Sequence, residues 1–180
     1  MRDTDFLFLM AVFITSTFSS CSFSDPEIAL RLKNRKQTID NNIANGICVS
    51  HSVAVLNQNQ DINCYYQLYQ DKTKGLMKVS ETYTRNNATS DTTFVYYFDE
   101  DEYTFAFQVK VAIGSDSLFN SVTAFYNKDM EMVMKEYATI DNCDIPLIGK
   151  DSLFIDLTTY SIPPDVSTFT QHKKIILQND

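Results

Sequence analysis

The stretch from position 92 to position 111 decides the fold, and it reads TTFVYYF (92–98), DEDE (99–102) and YTFAFQVKV (103–111). In the last segment the odd positions are large and apolar and the even ones small or polar, which is typical of a half-buried strand. Folding the chain about the acidic turn brings two aromatic strands together. The predicted register pairs Phe98 with Tyr103, Tyr96 with Phe105, and Phe94 with Phe107, all on one face.

A second hairpin is predicted further along the chain. Its turn begins at Asn127, 28 residues after Asp99, which begins the first turn. Strand 118–126 leads into this turn and strand 130–137 returns. The predicted register pairs Tyr126 with Met130, Ala124 with Met132, and Val122 with Met134. We interpret the methionines as core filler rather than copper ligands, because same-face residues of a strand do not converge on one ion. The alternative is a helix over 130–137, in which the three methionines would point to different sides.

The same spacing backwards from Asp99 reaches Asp71, in a turn between strands 62–69 and 76–84, where Gly75 is a candidate bulge. These three hairpins predict a six-stranded meander over 62–137, preceded by a further hairpin with a strand over 47–56 and a turn over 57–61. Asp25 and Gly46 are start and stop signals of a helix. The sequence therefore predicts an α+β fold, with an N-terminal helix packed on an antiparallel meander sheet of about six to nine strands.

The helix carries two kinds of side chain. Its apolar stripe, formed by Ile28, Leu32, Ile39 and Ile43, requires the sheet as a cover. Its basic residues, which are Arg31, Lys33, Arg35 and Lys36, are interpreted as a solvated face, with contact to lipid headgroups as the alternative. The tail is predicted as a loop over 138–151, a strand over 152–160, and a strand or short helix over 166–178. No linker divides 25–180, so we expect one domain.

The N-terminus resembles an export signal. An unbroken apolar run over 6–14 is too short to cross a membrane as a helix, and it precedes Phe18-Ser19-Ser20-Cys21, which resembles a bacterial lipobox. We therefore expect residues 1–20 to be a signal peptide, Cys21 to be lipidated, and residues 21–24 to be a tether. Ser22 after the cysteine resembles the sorting pattern of outer-membrane lipoproteins. The alternative is that the run is a buried helix or strand.

The cysteines limit the number of disulfides in the mature chain, and its charge limits the class of partner. If Cys21 is lipidated, Cys48, Cys64 and Cys143 remain and allow at most one intramolecular disulfide, whereas a freely secreted chain with four cysteines could form two. Removing residues 1–20 takes away Arg2, Asp3 and Asp5, so that 14 basic and 21 acidic residues leave a net charge of −7. This acidity argues against a nucleic-acid-binding surface, which needs a basic patch, and we expect no nucleic-acid partner.

Catalytic and metal-binding patterns are absent from the sequence. Only His51 and His172 are available as an imidazole base, and no nucleophile-elbow motif accompanies them. Cys48 and His51 lie three apart on a predicted strand and so point to opposite faces, which excludes a shared zinc ion. The acidic 99–102 turn lacks EF-hand spacing and is interpreted as solvated. We predict no cofactor and no catalytic residue.

The aromatic strands leave one candidate interaction surface. Tyr97, on the face opposite Tyr96, and Phe125 are candidates for an exposed aromatic patch that contacts a protein or a glycan. The alternative is that the N-terminal helix covers this face.

The segment Tyr96-Tyr97-Phe98-Asp99-Glu100, the later copy Phe125-Tyr126-Asn127 and the helix behind a lipobox resemble small bacterial lipoproteins built on YYFDE-type β-hairpin repeats. The resemblance covers about residues 25–137 and carries no catalytic residues. It departs from the usual Asp-Glu-Asn-Gly turn, which is Asp-Glu-Asp-Glu here. The resemblance implies a lipid-anchored envelope protein, in accord with our expectation of a non-enzymatic binding module. The alternatives are a periplasmic inhibitor or immunity-type protein, and an envelope hydrolase.

Overall fold

The structure is a computed structural model that describes residues 25–56, 62–85, 91–113, 118–141, 143–147 and 155–173. The elements of these residues are α1 (Asp25–Ala44), β1 (Val49–Leu56), β2 (Ile62–Asp71), β3 (Gly75–Arg85), β4 (Thr92–Phe98), β5 (Thr104–Ile113), β6 (Leu118–Tyr126), β7 (Met132–Ile140), a 3-10 turn (Leu157–Thr159) and α2 (Val166–Lys173). The strands form one antiparallel sheet in chain order, β1 to β7. The predicted α+β meander is confirmed.

Helix α1 ends where the sequence predicts. Gly46 has a φ of 70°, and its N–H donates to the carbonyl of Ile43 while the N–H of Ile47 donates to that of Asn42. These bonds form a Schellman motif, which a glycine in the left-handed region allows without steric cost. On its apolar side, Ile39 is buried and Leu32 packs beside it against one face of the sheet. We call this face the α1 face.

The β4–β5 hairpin has a different register from the predicted one. Tyr96 pairs with Phe107 rather than with Phe105, and Phe98 pairs with Thr104. Between Tyr97 and Phe98 the register shifts by one residue, which leaves Phe105 as the extra residue of a β-bulge. Phe105 therefore turns to the α1 face, whereas Phe107 remains on the opposite face. The prediction of three aromatic pairs on one face is wrong because of this bulge.

The bulge recurs in all three hairpins at the spacing of 28 residues. Register shifts occur at Tyr69/Gln70, Tyr97/Phe98 and Phe125/Tyr126. The residues left without a partner are Met77, Phe105 and Val133, and all three contact the core beneath α1. The repeat thus turns one additional apolar side chain per hairpin toward the helix.

The same bulge corrects the predicted methionine stripe. Tyr126 pairs with Met132 and Phe125 with Met134. Met134 packs on the α1 face, Met130 packs on the opposite face, and Met132 is exposed. The three methionines therefore do not form a stripe on one face. Met130 and Met134 do fill core positions, one on each side of the sheet.

The tail covers the second face of the sheet, which we call the α2 face. Residues 155–160 contain the 3-10 turn and no strand, so the predicted strand over 152–160 is wrong in its described part. Asp165 caps α2 by accepting the N–H of Thr168 at 2.6 Å. Phe169 of α2 is fully buried, and its ring centroid lies 4.9 Å from that of Tyr96. Strand β7 continues to Ile140, beyond the predicted start of the loop at 138.

Candidate functional site

The two predicted interaction residues lie inside the protein. Tyr97 and Phe125 are both almost completely buried, in the core between α1 and the sheet. They therefore do not form an exposed aromatic patch, and the alternative that α1 covers this face is confirmed. Cys21, the predicted lipidation site, lies outside the described residues.

A cleft opens beside this buried core, between the first half of α1 and the ends of two hairpins. Its volume is about 580 Å³, within the range of small-molecule sites. On the helix side it is lined by Ile28, Arg31, Leu32, Asn34, Arg35 and Thr38, and on the sheet side by Asp99, Tyr103, Thr104, Phe105, Tyr126, Asn127 and Lys128. We call it the helix–turn cleft.

Arg35 joins the two sides of the helix–turn cleft. Its guanidinium nitrogens lie 3.1 Å from a carboxylate oxygen of Glu100 and 3.7 Å from one of Asp99. The guanidinium carbon lies 5.4 Å from the centroid of the Phe105 ring, a distance at which a cation is attracted to the face of the ring. The bulged Phe105 therefore gives Arg35 an apolar support, while the acidic turn fixes its charged end.

Tyr103 provides the exposed aromatic surface of the cleft. The Lys128 ammonium lies 5.5 Å from the centroid of its ring and pairs with Asp101 at 2.6 Å. Both turns are held in place by their first residue, because the side chains of Asp99 and Asn127 each accept two backbone N–H bonds from the turn. The aromatic and cationic groups thus extend from ordered hairpin ends.

The acidic turn keeps its charge beside these cations. A hydrogen bond from Lys74 and the charges of Arg35 and Lys74 lower the pKa of Glu100. A hydrogen bond from Lys128, together with its charge, lowers the pKa of Asp101. Both carboxylates are therefore ionised at neutral pH. The lining of the cleft itself contains three cationic residues, Arg31, Arg35 and Lys128, but only one acid, Asp99.

A buried polar cluster fastens α1 to the sheet further along the helix. Asp40 accepts hydrogen bonds from Lys36 at 2.8 Å, from Lys78 at 2.7 Å and from the Tyr97 hydroxyl at 3.1 Å. Burial raises the pKa of Asp40, but the charges and hydrogen bonds of the two lysines overcome this effect and leave the pKa below its ordinary value. Burial and the Asp40 carboxylate raise the pKa of Tyr97 well above its ordinary value. The cluster is thus an ionised carboxylate held by neutral and cationic donors.

A second buried carboxylate lies on the α2 face. Glu81 is completely buried and accepts the hydroxyls of Tyr66 at 2.7 Å, Tyr83 at 2.5 Å and Tyr96 at 3.0 Å. Lys173 of α2 completes the group at 2.7 Å. Burial, followed by the interactions with Glu81, raises the pKa of Tyr83 and Tyr96, and burial also dominates the raised pKa of Tyr66. We call these five residues the Glu81 cluster.

The thiols near these sites are poor nucleophiles. Burial raises the pKa of Cys64, which lies beside Glu81, and burial together with the charge of Asp71 raises the pKa of Cys48. Both are therefore protonated at neutral pH, whereas catalysis by cysteine requires the thiolate. In the described chain Cys48, Cys64 and Cys143 are unbridged, and no cluster of three or more His, Cys, Asp or Glu residues is placed to hold a metal ion.

The sequence did not identify the helix–turn cleft. Arg31 and Arg35 were interpreted as part of a solvated face, although they follow Ile28 and Leu32 by three residues and so border the apolar stripe of α1. That spacing is the signal by which they could have been placed at the helix–sheet boundary. The sequence pairs Tyr103 with Phe98, whereas in the structure Phe98 pairs with Thr104 and Tyr103 lies exposed at the hairpin end.

Comparison of the chain with protein-family models, with curated proteins and with solved structures found no match. Among the described residues, no helix has the length and apolar character needed to cross a membrane.

Proposed function

We propose that this protein is a lipid-anchored binding module of a bacterial cell envelope and that it binds its ligand in the helix–turn cleft without a chemical reaction. The observation that carries the proposal is the cleft itself, because it combines an exposed aromatic ring with cationic and amide side chains. The predicted export signal and the predicted lipidation of Cys21 support the proposed location, which is the outer membrane.

The lining favours an acidic glycan of the envelope as the ligand. Sugars offer C–H faces that pack on aromatic rings, and Tyr103 presents such a ring in the cleft. Their hydroxyls suit planar polar groups such as the amide of Asn34 and the guanidinium of Arg31, which line the cleft. Arg35 and Lys128 of the lining are paired with Asp99, Glu100 and Asp101, so a glycan that carries carboxylates would bind by sharing these cations with the acidic turn. Peptidoglycan fragments have this chemistry.

A binding measurement tests this proposal. The purified mature chain is titrated with the soluble fragments of a lysozyme digest of peptidoglycan, and heat or fluorescence is recorded. We expect saturable binding that weakens at least about tenfold in the Tyr103→Ala variant, which corresponds to the loss of about 1.4 kcal/mol.

Tyr65 provides the matched control. It is 46% exposed, against 41% for Tyr103, but it lies on β2 and does not line the cleft. Tyr65→Ala should bind the digest as the unchanged protein does. The proposal fails if the digest shows no saturable binding, or if the two substitutions weaken it equally.

A further inference from the structure

Strand β1 is an edge strand of the sheet that the described residues form. In the described chain, β1 pairs only with β2, so one side of its backbone has no strand beside it. The strand is eight residues long, reads VSHSVAVL and contains no proline and no Asp, Glu, Lys or Arg. Natural sheets protect exposed edges with charges, prolines, bulges or covering segments. An edge that lacks the first two is suited to pairing with another strand.

The opposite edge of the sheet has these protections. Strand β7 carries Lys135 and Glu136, and Glu136 is joined to Lys33 of α1 by an ion pair of 2.6 Å. After its end the chain returns, so that Pro146 forms a bridge with Ile140 and the N–H of Leu147 donates to Thr139 at 2.8 Å. The contrast within one sheet indicates that β1 is open for pairing.

We propose that β1 pairs with β1 of a second copy of this chain, antiparallel and about a two-fold axis, and so joins two sheets into one. The strand offers no charge that would select a foreign partner of opposite charge. Its exposed apolar side chains are Val49 and Val53, which lie beside the exposed and uncharged Ser50 and Ser52, and an identical strand complements them without burying a charge. Pairing through one self-complementary patch is also the commonest form of a symmetric dimer.

The pleat of the sheet restricts the register of this pair. A two-fold axis between antiparallel strands stands perpendicular to the sheet, so odd positions of one copy must face odd positions of the other. The axis therefore lies midway between the two copies of one residue. If that residue is Ser52, Val49 lies opposite Val55 and Val53 lies opposite His51 of the second copy. This register pairs residues 49–55 of both chains and includes both exposed valines.

Cysteine cross-linking tests the proposal on the full chain in the cells that express it. Opposed residues of antiparallel strands have Cα atoms about 4.5–5.5 Å apart, which suits a disulfide. With Ser52→Cys, a mild oxidant should therefore produce a covalent dimer on a non-reducing gel. Ser50→Cys is the matched control, since its two copies would lie about 13 Å apart and should form no dimer above the level of the unchanged chain.

A second pair of variants tests the edge itself. Val53→Lys, added to Ser52→Cys, should lower the dimer fraction at least about tenfold, because it places a charge in the pairing edge. Met132→Lys on β7 should leave that fraction unchanged, and the two parent residues are similarly exposed, at 36% and 47%. The proposal is overturned if Ser52→Cys gives no dimer, if Ser50→Cys gives as much, or if Val53→Lys has no effect.

Discussion

On one face of the sheet a helix supplies a carboxylate to the strands, and on the other the strands supply a carboxylate to a helix. Asp40 of α1 reaches Lys78 and the Tyr97 hydroxyl, whereas Glu81 of β3 receives Lys173 of α2. The side chain of Asp40 keeps 27% of its surface in contact with solvent, and that of Glu81 keeps none. Both helices are thus fastened by a partly buried ionic contact, but only on the α2 face is the carboxylate itself fully buried, while its partner Lys173 keeps 27% of its side-chain surface exposed.

This difference is accompanied by a difference in shape. Helix α1 extends over the hairpin ends and leaves the helix–turn cleft beside them, while the short α2 is seated by the fully buried Phe169. We infer that the α2 face stabilises the fold and the α1 face combines stability with binding.

Glu81→Leu should be the most damaging single change. It removes the acceptor shared by three buried or half-buried hydroxyls and the Lys173 ammonium, and breaking such a group costs about 3–5 kcal/mol of the free energy of unfolding. Denaturant unfolding measures the loss. Glu136→Leu is the control, because Glu136 forms an exposed ion pair with Lys33 and should cost only about 0–1 kcal/mol. Equal losses for the two variants would contradict a dominant contribution of the fully buried Glu81 carboxylate.

Asp40→Asn should cost less, about 1–3 kcal/mol at neutral pH, and the cost should depend on pH. The folded-state pKa of Asp40 lies below its ordinary value of 3.8, so its contribution is complete above that value and is lost as the pH falls through the folded-state pKa. The stability difference between the unchanged protein and the variant should therefore shrink below about pH 4. Unfolding curves recorded from neutral pH down to pH 2 check this, and a difference that is constant or grows in acid would contradict it.

Tyr96 and Tyr97 are neighbours whose hydroxyls reach the two different carboxylates. Each change to Phe should cost about 0.5–1.5 kcal/mol, through loss of one hydrogen bond. In double-mutant cycles measured by denaturant unfolding, Tyr96→Phe should couple to Glu81→Leu but not to Asp40→Asn, and Tyr97→Phe should show the reverse. Coupling of either tyrosine to the carboxylate of the other face would show that the two faces are not independent.

Glu102→Gly should stabilise the protein slightly without distinguishing the faces. Glu102 is exposed, ends the turn between β4 and β5, and has a φ of 67°, a conformation that costs a non-glycine residue about 1–2 kcal/mol. We expect a net gain of about 0.5–1 kcal/mol in thermal or denaturant unfolding, because glycine also has more freedom in the unfolded chain. Asp129→Gly, at an exposed turn residue outside the positive-φ region, should give no gain. A gain at both positions would remove the conformational explanation.

The sequence predicted the layout of the fold better than its faces. Capping residues and period-two strands located α1 and the meander, because these are local properties of the chain. The bulges at Met77, Phe105 and Val133 could not be predicted. The sequence of an alternating strand is the same whether or not one of its apolar residues is bulged. One extra residue reverses the face of its side chain, and the predicted pairs and the methionine stripe failed for that reason.

The polar clusters were beyond the reach of sequence patterns for a different reason. Glu81 lies in β3, and apart from Tyr83, two residues further along the same strand, its partners come from β2, β4 and α2, up to 92 positions away in the chain. No local spacing connects Glu81 to these distant residues, so nothing marked it as buried. The cleft is similarly formed by segments that meet only after the helix is seated on the sheet. The sequence instead predicts an exposed aromatic patch at Tyr97 and Phe125, which are residues that the helix covers.

The central claim is that the α1 face binds and the α2 face does not. The most direct measurement is a titration of isotope-labelled protein with the peptidoglycan digest, followed by the chemical shifts of the backbone amides. The account predicts shifts at Arg31, Arg35 and Tyr103 that saturate together, with the amides of Glu81 and Phe169 unmoved. Shifts centred on Glu81 and Phe169, or no shifts at any amide, would contradict it.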